Sequence, residues 1–599
     1  MESIKKAWIL VMVAFTVLQA GVFKNFVQVR DGCLTDGGQK LQFFSMNIPN
    51  LLLIEDNMPF TEKNPWRLPN RFEIYDALLS IKQMGGQVAR TYTITVSRKD
   101  DPPGTSKHVL EPGRLNEQAF SVLDTVLAVA NELGVRLIIP LVDNWKWMGG
   151  IGQYAAFRGK QADDFWHDEQ LKADFKQTVQ KILLRKNSVT GVLYKDDPAI
   201  MIWELGNELR SCPLEWIEEM AAFIKSIDPN HLINDGRQSR DIKDDVLLSP
   251  HVDVLSTHHY EGDPQKMLEH IEQNVKQIAG RKPYYLGEFG FISSSGMRAV
   301  IERVKGEGLS GALLWSLRFH NRDGGFYWHS EPLGGGLFKA YHWPGFASGQ
   351  AYDEQGVFEL LKQFNEVNFD ILPEIKLLPI TDVGHIRWQG ATGACAYLVQ
   401  RSTSTDGPWQ AVSHWLDDAS QAYTPQFNDQ SVRLNQSYFY RVQALFPNGQ
   451  KIVSKAYGPV QVSARWLIDD CENWGEVYRF SGPLELKKAN NRSFKEDLSR
   501  LAGQQGTEMV YRVSGNMLSF RVHCFQKLSQ PQIRCLLSED GRQFQEIKTT
   551  IENFTIEQKD YNYWQPIGLS VSTIKGKINF LKLRFEGEAQ IGRVEIEYR

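Results

Sequence analysis

The stretch Ile200-Met-Ile-Trp-Glu-Leu-Gly-Asn-Glu208 decides how the larger part of this chain folds. Its first four residues are apolar and predict a buried β-strand, and the polar residues after Trp203 predict a loop at the carboxyl end of that strand. Similar apolar runs recur between about residues 38 and 368, separated by helical patterns. The eight predicted strands are residues 41–46, 87–92, 136–142, 200–203, 232–234, 252–257, 284–287 and 312–315.

Amphipathic helices are predicted between these strands. Residues Glu117–Leu133 place Phe120 and Leu127 on one face, with Asn116 as the N-cap and Gly134 just past the end. Similar patterns cover residues 171–185, 213–227, 264–278 and 357–367. Eight strands that alternate with helices predict a (β/α)8 TIM barrel over residues 21–370. A doubly wound open sheet is the alternative, and it is disfavoured because no glycine-rich turn follows the first strand.

The pattern changes after about residue 370, where the helical period disappears. Short strand-like runs at 385–389, 396–401, 409–413, 438–446 and 451–456 predict a small antiparallel β-sandwich over residues 371–464. Gln400-Arg-Ser402, Gly407-Pro-Trp409 and Tyr438-Phe-Tyr-Arg-Val-Gln-Ala444 resemble a fibronectin type III domain. Residues 465–599 predict a second, jelly-roll-like β-sandwich. Its pattern is compatible with a carbohydrate-binding module and with a structural or docking module.

The composition restricts the kind of ligand. Lys and Arg number 67 and Asp and Glu 71, so the formal net charge is −4. A nucleic-acid or anionic-membrane binder would need an excess of basic residues, so we expect neither partner. The chain holds 16 Trp, 20 Tyr and 32 Phe, which suits a ligand with flat apolar faces such as a sugar. Large aromatic cores would give the same counts.

Residues 1–20 predict a secretory signal peptide. Lys5 and Lys6 precede an apolar run over residues 7–17, and Ala20 offers a cleavage point. The run is too short to span a bilayer, so we expect no membrane span and a secreted protein, placed extracellularly, in the periplasm or at the cell surface. The six cysteines show no CxxC and no Cys/His metal spacing; they allow one or two disulfides, and most are expected to be buried thiols.

Two glutamates follow predicted strands of the barrel. Glu208 comes after the fourth strand and Glu288 after the seventh, and the carboxyl ends of barrel strands form one face of the molecule. Either glutamate alone is better explained as a helix cap or the partner of a surface lysine. Together at one face they predict the carboxyl pair of glycoside hydrolysis, in which one protonates the leaving oxygen and the other attacks the anomeric carbon or activates water.

Residues 38–330 resemble glycoside hydrolase family 5. Trp203-Glu-Leu-Gly-Asn-Glu208 and Leu286-Gly-Glu-Phe-Gly290 match its two active-site motifs. Segments similar to its endo-β-1,4-mannanase branch are Leu137-Ile-Ile-Pro-Leu-Val-Asp-Asn-Trp145, Gly149-Gly150, Gln153-Tyr154, Tyr194-Lys-Asp-Asp-Pro-Ala-Ile200 and Lys225-Ser-Ile-Asp-Pro-Asn-His231. The resemblance implies a retaining hydrolase of mannan, glucomannan or galactomannan that acts as a monomer on a polysaccharide, without a metal or organic cofactor.

The resemblance also implies roles for single residues. Glu208 matches the general acid/base and Glu288 the nucleophile. The matched substrate-binding positions are Arg90, which holds the nucleophile, Asn207 for the sugar 2-hydroxyl, His258 and Tyr260 after the sixth strand, and Trp315 as a platform. Trp145 and Trp147, in the loop after the third strand, are expected to stack on further sugar rings. His259 is expected to be structural.

Departures from the family pattern occur near these residues. Leu209 and Glu261 stand where the family often has proline. The aromatic and basic segment 318–329, after the eighth strand, is expected to narrow one end of the cleft. A β-1,4-glucanase, an exo-acting β-mannosidase, a transglycosylase and a non-catalytic polysaccharide-binding protein are the alternative functions. The enzymes among them would share the same carboxyl pair.

Overall fold

The computed structural model describes residues 22–55, 59–62, 66–329, 340–346, 353–419, 423, 426–528, 530–555 and 564–599. The predicted leader, residues 1–20, lies outside the described residues. Within them the chain forms a short antiparallel sheet of Gln28–Arg30, Cys33–Asp36 and Gln39–Lys40, then a parallel barrel, and then several antiparallel sheets. No helix in these ranges is long and apolar enough to cross a membrane.

Eight parallel strands form the barrel. They are β1 Phe43–Ile48, β2 Val88–Thr91, β3 Arg136–Pro140, β4 Ile200–Glu204, β5 Leu232–Asn234, β6 Leu255–His259, β7 Tyr284–Phe289 and β8 Gly311–Leu314. Their hydrogen-bonded order is β5-β4-β3-β2-β1-β8-β7-β6. The ring closes between β5 and β6, where Asn234 and Val254 form a parallel bridge. The predicted TIM barrel is therefore confirmed, and the open doubly wound sheet is ruled out.

Helices follow the strands around the barrel. They are α1 Arg71–Gln83, α2 Glu117–Leu133, α3 Glu169–Leu183, α4 Leu214–Ile227, α5 Asp244–Leu247, α6 Pro264–Ile278, α7 Ser294–Val304 and α8 Glu354–Phe364, with a further short helix at Ile151–Phe157. The predicted caps of α2 are confirmed, since the Asn116 side chain accepts from the Gln118 N–H and Gly134 ends the helix at φ +75°. The apolar faces of these helices pack on the outside of the barrel and form its main core.

Strand β6 is shifted from its predicted position by about three residues at its start and two at its end. The prediction stopped at residue 257 because His258 and His259 are polar, yet both are buried strand residues in register with β7. Strand β7 likewise extends through Glu288, and Glu204 is the last residue of β4. The strands thus carry polar side chains to the carboxyl mouth of the barrel on rigid backbone.

The remainder of the chain is antiparallel. The first part consists of strands Lys376–Leu377, Trp388–Gln389, Ala396–Ser402, Gln410–Ala411, Ser437–Leu445, Lys451–Val453 and Tyr457–Gln461 around a core that includes Trp388 and Tyr440. The second part forms sheets of seven and five strands that enclose a second core. Its strands are Arg465–Asp469, Arg479–Ser481, Glu485–Lys487, Arg500–Gly503, Glu508–Arg512, Met517–Gln526, Ile533–Ser538, Gln545–Glu546, Thr550–Asn553, Gln565–Val571, Phe580–Phe585 and Ala589–Tyr598. These sheets agree with the predicted β-sandwiches. The fibronectin resemblance stays a prediction.

Both antiparallel parts contact the barrel. Phe60, in the loop after β1, stacks on His523 at 4.5 Å between ring centroids, and Lys495 donates to the Phe60 carbonyl at 3.0 Å. His320, after β8, lies buried between Asp76 of α1 and Asp418 of the first antiparallel part. All six cysteines are free thiols, four of them buried, so the structure contains none of the disulfides that the sequence allowed.

Candidate active site

The two predicted carboxyl groups meet at the carboxyl mouth of the barrel. Oxygens of Glu208 and Glu288 and a ring nitrogen of His258 all lie within 4.8 Å of one another. The Glu208 side chain is 14% exposed and that of Glu288 is 6% exposed, so solvent reaches both. Oxygens this close fit the carboxyl pair of a retaining glycosidase, whose groups stand about 5–5.5 Å apart, better than the wider pair of an inverting one, at about 6.5–9.5 Å.

Two glycines allow the backbone to present these groups. A Cβ on Gly206 would lie 2.6 Å from Leu209 Cδ2 and 2.8 Å from the Val142 carbonyl, so only glycine fits between the loops after β3 and β4. A Cβ on Gly287 would lie 2.9 Å from His258 Nε2. Glu208 itself has φ +53°, a left-handed conformation that a non-glycine side chain rarely adopts. Such strain is characteristic of functional sites, where the surrounding structure fixes the residue.

Arg90 lies fully buried beneath the carboxyl pair and uses all five of its N–H donors. It donates from Nε and Nη2 to the two oxygens of Glu204, at 2.9 and 2.7 Å. It donates from Nη1 to Glu288 Oε1 at 2.8 Å. The remaining two bonds reach Asn47 Oδ1 at 3.2 Å and Asn207 Oδ1 at 2.8 Å. The predicted contact between Arg90 and Glu288 is present, and Glu204 fixes the orientation of the guanidinium.

Each carboxylate of the pair has further donors. Tyr260 donates to Glu288 Oε2 at 2.7 Å. Trp145 donates from Nε1 to Glu208 Oε2 at 2.7 Å, and His258 Nδ1 lies 3.0 Å from Glu208 Oε1. His258 Nδ1 is also 3.5 Å from Glu288 Oε2. His258 therefore shares a hydrogen bond with Glu208 and lies close enough to Glu288 for their charges to interact.

The pKa values of these three residues shift in different directions. Burial raises the pKa of Glu288 and outweighs the lowering by His258 and Arg90. Burial also acts to raise the pKa of Glu208, but the hydrogen bond and charge of His258 lower it further, so the net shift is downward. Burial lowers the pKa of His258, yet the charges of Glu288 and Glu208 outweigh it and the net shift is upward. In the free protein, a single proton shared between these two residues is therefore bound to His258 and not to Glu208.

Asn207 is buried and its amide is already occupied. It donates to Asp143 Oδ1 at 3.0 Å and to the Tyr92 hydroxyl at 3.2 Å, while its oxygen accepts from Arg90. A sugar hydroxyl would have to share or replace one of these bonds. Burial raises the pKa of Asp143 to about 7. No role was predicted for Asn47, Asp143 or Glu204 from the sequence, although Glu204 and Asp143 stand at the ends of predicted strands.

An aromatic wall lines the mouth, formed by Trp66, Tyr92, Trp147 and Trp315. Tyr92 lies between Trp147, at 6.0 Å between centroids, and Trp315, at 5.8 Å. Trp66 contacts Trp147 at 6.4 Å. Trp315 is 9% exposed, and Trp147 is half-buried in contact with its neighbours. Trp147, predicted to stack on sugar rings, and Trp315, predicted as a platform, therefore lie in the same wall.

Trp145 makes two contacts that the sequence did not predict, and its stacking role stays a prediction. Its indole N–H is committed to Glu208, and the Arg210 guanidinium lies 4.3 Å from its ring centroid. One face of the indole thus contacts a cation. The hydrogen bond from its N–H positions the Glu208 carboxylate. The loops after β3 and β4 are also joined by backbone, since the Asn144 N–H donates to the Asn207 carbonyl at 3.0 Å.

The two departures from the family pattern have local explanations. The Leu209 N–H donates to the Gly236 carbonyl at 2.9 Å, a bond that proline could not make. Glu261 accepts from two imidazoles, His259 at 3.1 Å and His270 at 2.8 Å. His259 is fully buried outside the carboxyl pair, as expected for a structural residue.

The segment 318–329 packs mainly inward. Arg318 and His320 are fully buried, and Trp328 is 7% exposed. Its last residue, His329, contacts Trp147 at 6.2 Å between centroids, so the segment does reach the aromatic wall. That the segment narrows one end of the cleft stays a prediction.

Comparisons with known proteins identify similar chains. A glycoside hydrolase family 5 beta-mannosidase-like family matches residues 24–260. Mannan endo-1,4-beta-mannosidase 1 of Solanum lycopersicum is 30% identical over 314 residues, which cover 43% of this chain and 77% of that protein. Mannan endo-1,4-beta-mannosidase 2 of Arabidopsis thaliana is 33% identical over 257 residues, which cover 35% and 58%.

Other relatives are covered less fully. Putative mannan endo-1,4-beta-mannosidase 4 of Arabidopsis thaliana is 38% identical over 183 residues, covering 28% of this chain and 43% of that protein. The chain thus spans about half the length of the two Arabidopsis relatives. Among solved structures, the endo-beta-1,4-mannanase from Thermotoga petrophila is 22% identical with a TM-score of 0.45, covering 71% of this chain and 99% of that one.

Proposed function

Because this chain belongs to the beta-mannosidase-like group of glycoside hydrolase family 5, we propose that it is a retaining hydrolase of β-1,4-mannosidic bonds. The proposed substrates are mannan, glucomannan and galactomannan, in line with the names of the relatives. The observation that carries the proposal is the carboxyl pair, with Glu208 and Glu288 oxygens within 4.8 Å. A shared anomeric centre requires this proximity.

In the proposed first step, Glu288 attacks the anomeric carbon and the bond to the leaving oxygen breaks. Glu208 gives its proton to that oxygen, so the leaving chain departs as an alcohol. The donors Arg90 and Tyr260, at 2.8 and 2.7 Å from Glu288, keep its carboxylate oriented for in-line attack. The product of this step is a glycosyl ester on Glu288.

In the second step, Glu208 removes a proton from water, and the resulting hydroxide attacks the anomeric carbon. The ester bond breaks, Glu288 returns to its carboxylate form, and the sugar leaves with its original configuration. Two inversions at one carbon give net retention. Glu208 ends the cycle protonated, ready for the next substrate.

The proton that Glu208 needs is supplied within the site. The state with a proton on His258 and the state with a proton on Glu208 contain the same number of protons. A transfer over the 3.0 Å between His258 Nδ1 and Glu208 Oε1 converts one into the other. The lowered pKa of Glu208 in the free protein therefore does not prevent acid catalysis, since Glu208 only has to be protonated in the reacting complex.

The same site accounts for a polysaccharide partner. Trp315 and Trp147 flank Tyr92 along the mouth, and such aromatic faces attract the C–H faces of pyranose rings. We further infer that the chain is exported with residues 1–20 as its signal peptide, and that it acts as a monomer. Residues 21–370 are proposed as the catalytic domain, 371–464 as a fibronectin type III-like sandwich, and 465–599 as a sandwich of carbohydrate-binding or docking type.

A panel of polysaccharides tests the proposal. We expect the purified chain to release reducing ends from mannan, glucomannan and galactomannan, and not from cellulose. The Glu288→Gln variant serves as the control, because it keeps the shape of the site and lacks the nucleophile. Activity on cellulose alone would favour a β-1,4-glucanase, and release of mannose without longer oligomers would favour an exo-acting β-mannosidase. A folded chain with no activity on any of them would favour a binding protein.

A further inference from the structure

A second cluster of metal-ligating side chains lies behind the active site. His259 is the last residue of β6, Glu261 follows two residues later, and His270 lies on helix α6. Their ligand atoms all lie within 4.8 Å of one another. Glu261 Oε1 is 3.1 Å from His259 Nδ1 and 2.8 Å from His270 Nδ1. The cluster shares no residue with the carboxyl pair of the active site.

The geometry of the cluster is close to that of a four-coordinate zinc ion. Zn–N and Zn–O bonds of about 2.0–2.1 Å in a tetrahedron place the ligand atoms about 3.3 Å apart. The distances from Glu261 Oε1 to the two imidazole nitrogens, 3.1 and 2.8 Å, are slightly shorter than this separation, and the two nitrogens lie within 4.8 Å of each other. His270 is on the helix surface with a side chain 26% exposed, so it has room to adjust when an ion enters.

The residues around the cluster fix the orientation of one proposed ligand and bury another. The second ring nitrogen of His259 lies 2.8 Å from the Thr257 hydroxyl, which fixes the ring with Nδ1 directed at Glu261. Histidine ligands of metals are usually held in this way through the nitrogen that does not bind the ion. The Glu261 side chain is only 4% exposed. Its Oε1 atom is paired with both imidazoles, but its Oε2 atom is buried and has no hydrogen-bond partner among the described residues, which is costly for a polar atom.

We propose that His259, Glu261 and His270 bind one divalent ion of the zinc type. Two imidazoles and one carboxylate are ligands that zinc prefers, and they leave a fourth position for water on the exposed side of His270. One of the three proposed ligands departs from the family pattern, because Glu261 stands where proline is frequent in the family. Proline would supply no ligand there.

The ion would join the end of β6 to helix α6. Tyr260 lies between two of the ligands in the chain and donates to Glu288 Oε2 at 2.7 Å. A bound ion would therefore hold the backbone on both sides of Tyr260. It would stabilise the fold and the position of this donor without contacting the substrate.

Zinc binding to the full chain tests the proposal directly. After chelator treatment, Zn²⁺ alone is titrated in competition with a chromophoric chelator. We expect one tight equivalent, an unfolding midpoint a few degrees higher with zinc, and at least tenfold weaker binding in Glu261→Gln and His270→Ala. His251→Ala is the matched control, since this half-buried histidine lies outside the cluster, and it should bind as the unchanged chain does.

Two further measurements keep the test decisive. Zinc uptake that persists in His270→Ala and disappears in Glu208→Gln would assign the ion to the carboxyl pair and overturn the proposal. Co²⁺ bound to the unchanged chain should give the intense visible absorption of a four-coordinate ion, whether or not the variants fold. If Co²⁺ showed only the weak visible absorption of the hydrated ion, or if the chain bound neither Zn²⁺ nor Co²⁺, the proposal would also be overturned. None of these readouts requires activity on mannan, so they stand apart from the proposed function.

Discussion

The Arg90 guanidinium donates from Nη1 to Glu288 Oε1 at 2.8 Å, inside the barrel and away from solvent. The same guanidinium binds both oxygens of Glu204. Arginine is suited to this arrangement because its planar fork can serve two carboxylates at once, whereas lysine offers a single charged point. The nucleophile's orientation therefore depends on a residue that touches no substrate in the proposed mechanism.

Replacing Arg90 by lysine should disable the site. We expect Arg90→Lys to lower kcat/KM on mannan by at least 100-fold, and to lower the unfolding free energy by about 3–5 kcal/mol because a buried carboxylate loses its partner. Steady-state kinetics and urea unfolding measure the two effects. Arg71→Lys is the control, since Arg71 forms an exposed ion pair with Glu132 and should change neither quantity. Near-normal kcat/KM in Arg90→Lys would contradict the assignment.

Removing the hydroxyl of Tyr260 should slow the first chemical step. Tyr260 donates to Glu288 Oε2 at 2.7 Å, and a hydrogen bond to a charged group contributes about 1.5–3 kcal/mol. Tyr260→Phe should therefore lower kcat/KM about 10- to 100-fold, with the unfolding midpoint little changed. Tyr75→Phe on α1, a half-buried tyrosine outside the active site, provides the matched control. Equal activity in the two variants would mean that Tyr260 does not assist Glu288.

The pH dependence should report the proton shared by Glu208 and His258. The charges of Glu288 and Glu208 outweigh burial and raise the pKa of His258, so the pair keeps this proton to higher pH than an isolated glutamate would. We expect kcat/KM to fall as the pH rises through the pKa of the pair, and the fall to begin at lower pH in His258→Gln. Profiles on a soluble mannooligosaccharide measure this. An alkaline limb that stays in place in the variant would show that His258 does not share the catalytic proton.

The contact between the barrel and the first antiparallel part should be sensitive to alkali. Burial lowers the pKa of His320, but the charges of Asp76 and Asp418 outweigh it and raise this pKa to about 10. Because the folded-state pKa is raised, the stability it contributes is complete below the ordinary value of about 6.5 and is lost as pH rises through about 10. Urea unfolding at neutral and high pH should show this loss in the unchanged chain. The loss should be smaller in His320→Gln, and the His251→Gln control should behave as the unchanged chain.

The barrel could be predicted because its signal is local. Each strand is a short apolar run that ends in polar residues, and α2 is marked by Asn116 and Gly134 at its two ends. The bounds of β6 were wrong because burial of His258 and His259 arises from neighbouring strands. The long strand Ala589–Tyr598 escaped prediction for a similar reason. Its charged Arg593 and Glu595 are buried as a pair, which masks the apolar pattern of a core strand.

The sequence predicted those residues of the site that stand at the end of a recognisable strand, and not the contacts between them. Glu208 and Glu288 stand out because each follows an apolar run in a motif of the family. The roles of Glu204 and Asn47 follow only from the fold, because both bind Arg90, which is distant from them in sequence. The hydrogen bond from Trp145 to Glu208 could not be foreseen, because an indole near a sugar site is as readily expected to stack. Contacts between residues on different strands depend on the three-dimensional structure and leave no signal in the sequence.

The central claim is that Glu288 forms the covalent intermediate while Glu208 handles the proton. The measurement that tests it most directly is labelling with 2-deoxy-2-fluoro-β-mannosyl fluoride, followed by peptide mapping by mass spectrometry. The fluorine at C2 slows both chemical steps and the fluoride leaving group speeds the first, so the glycosyl ester accumulates. The account predicts one label, on Glu288. A label on Glu208, or turnover with no label and a product of inverted configuration, would contradict it.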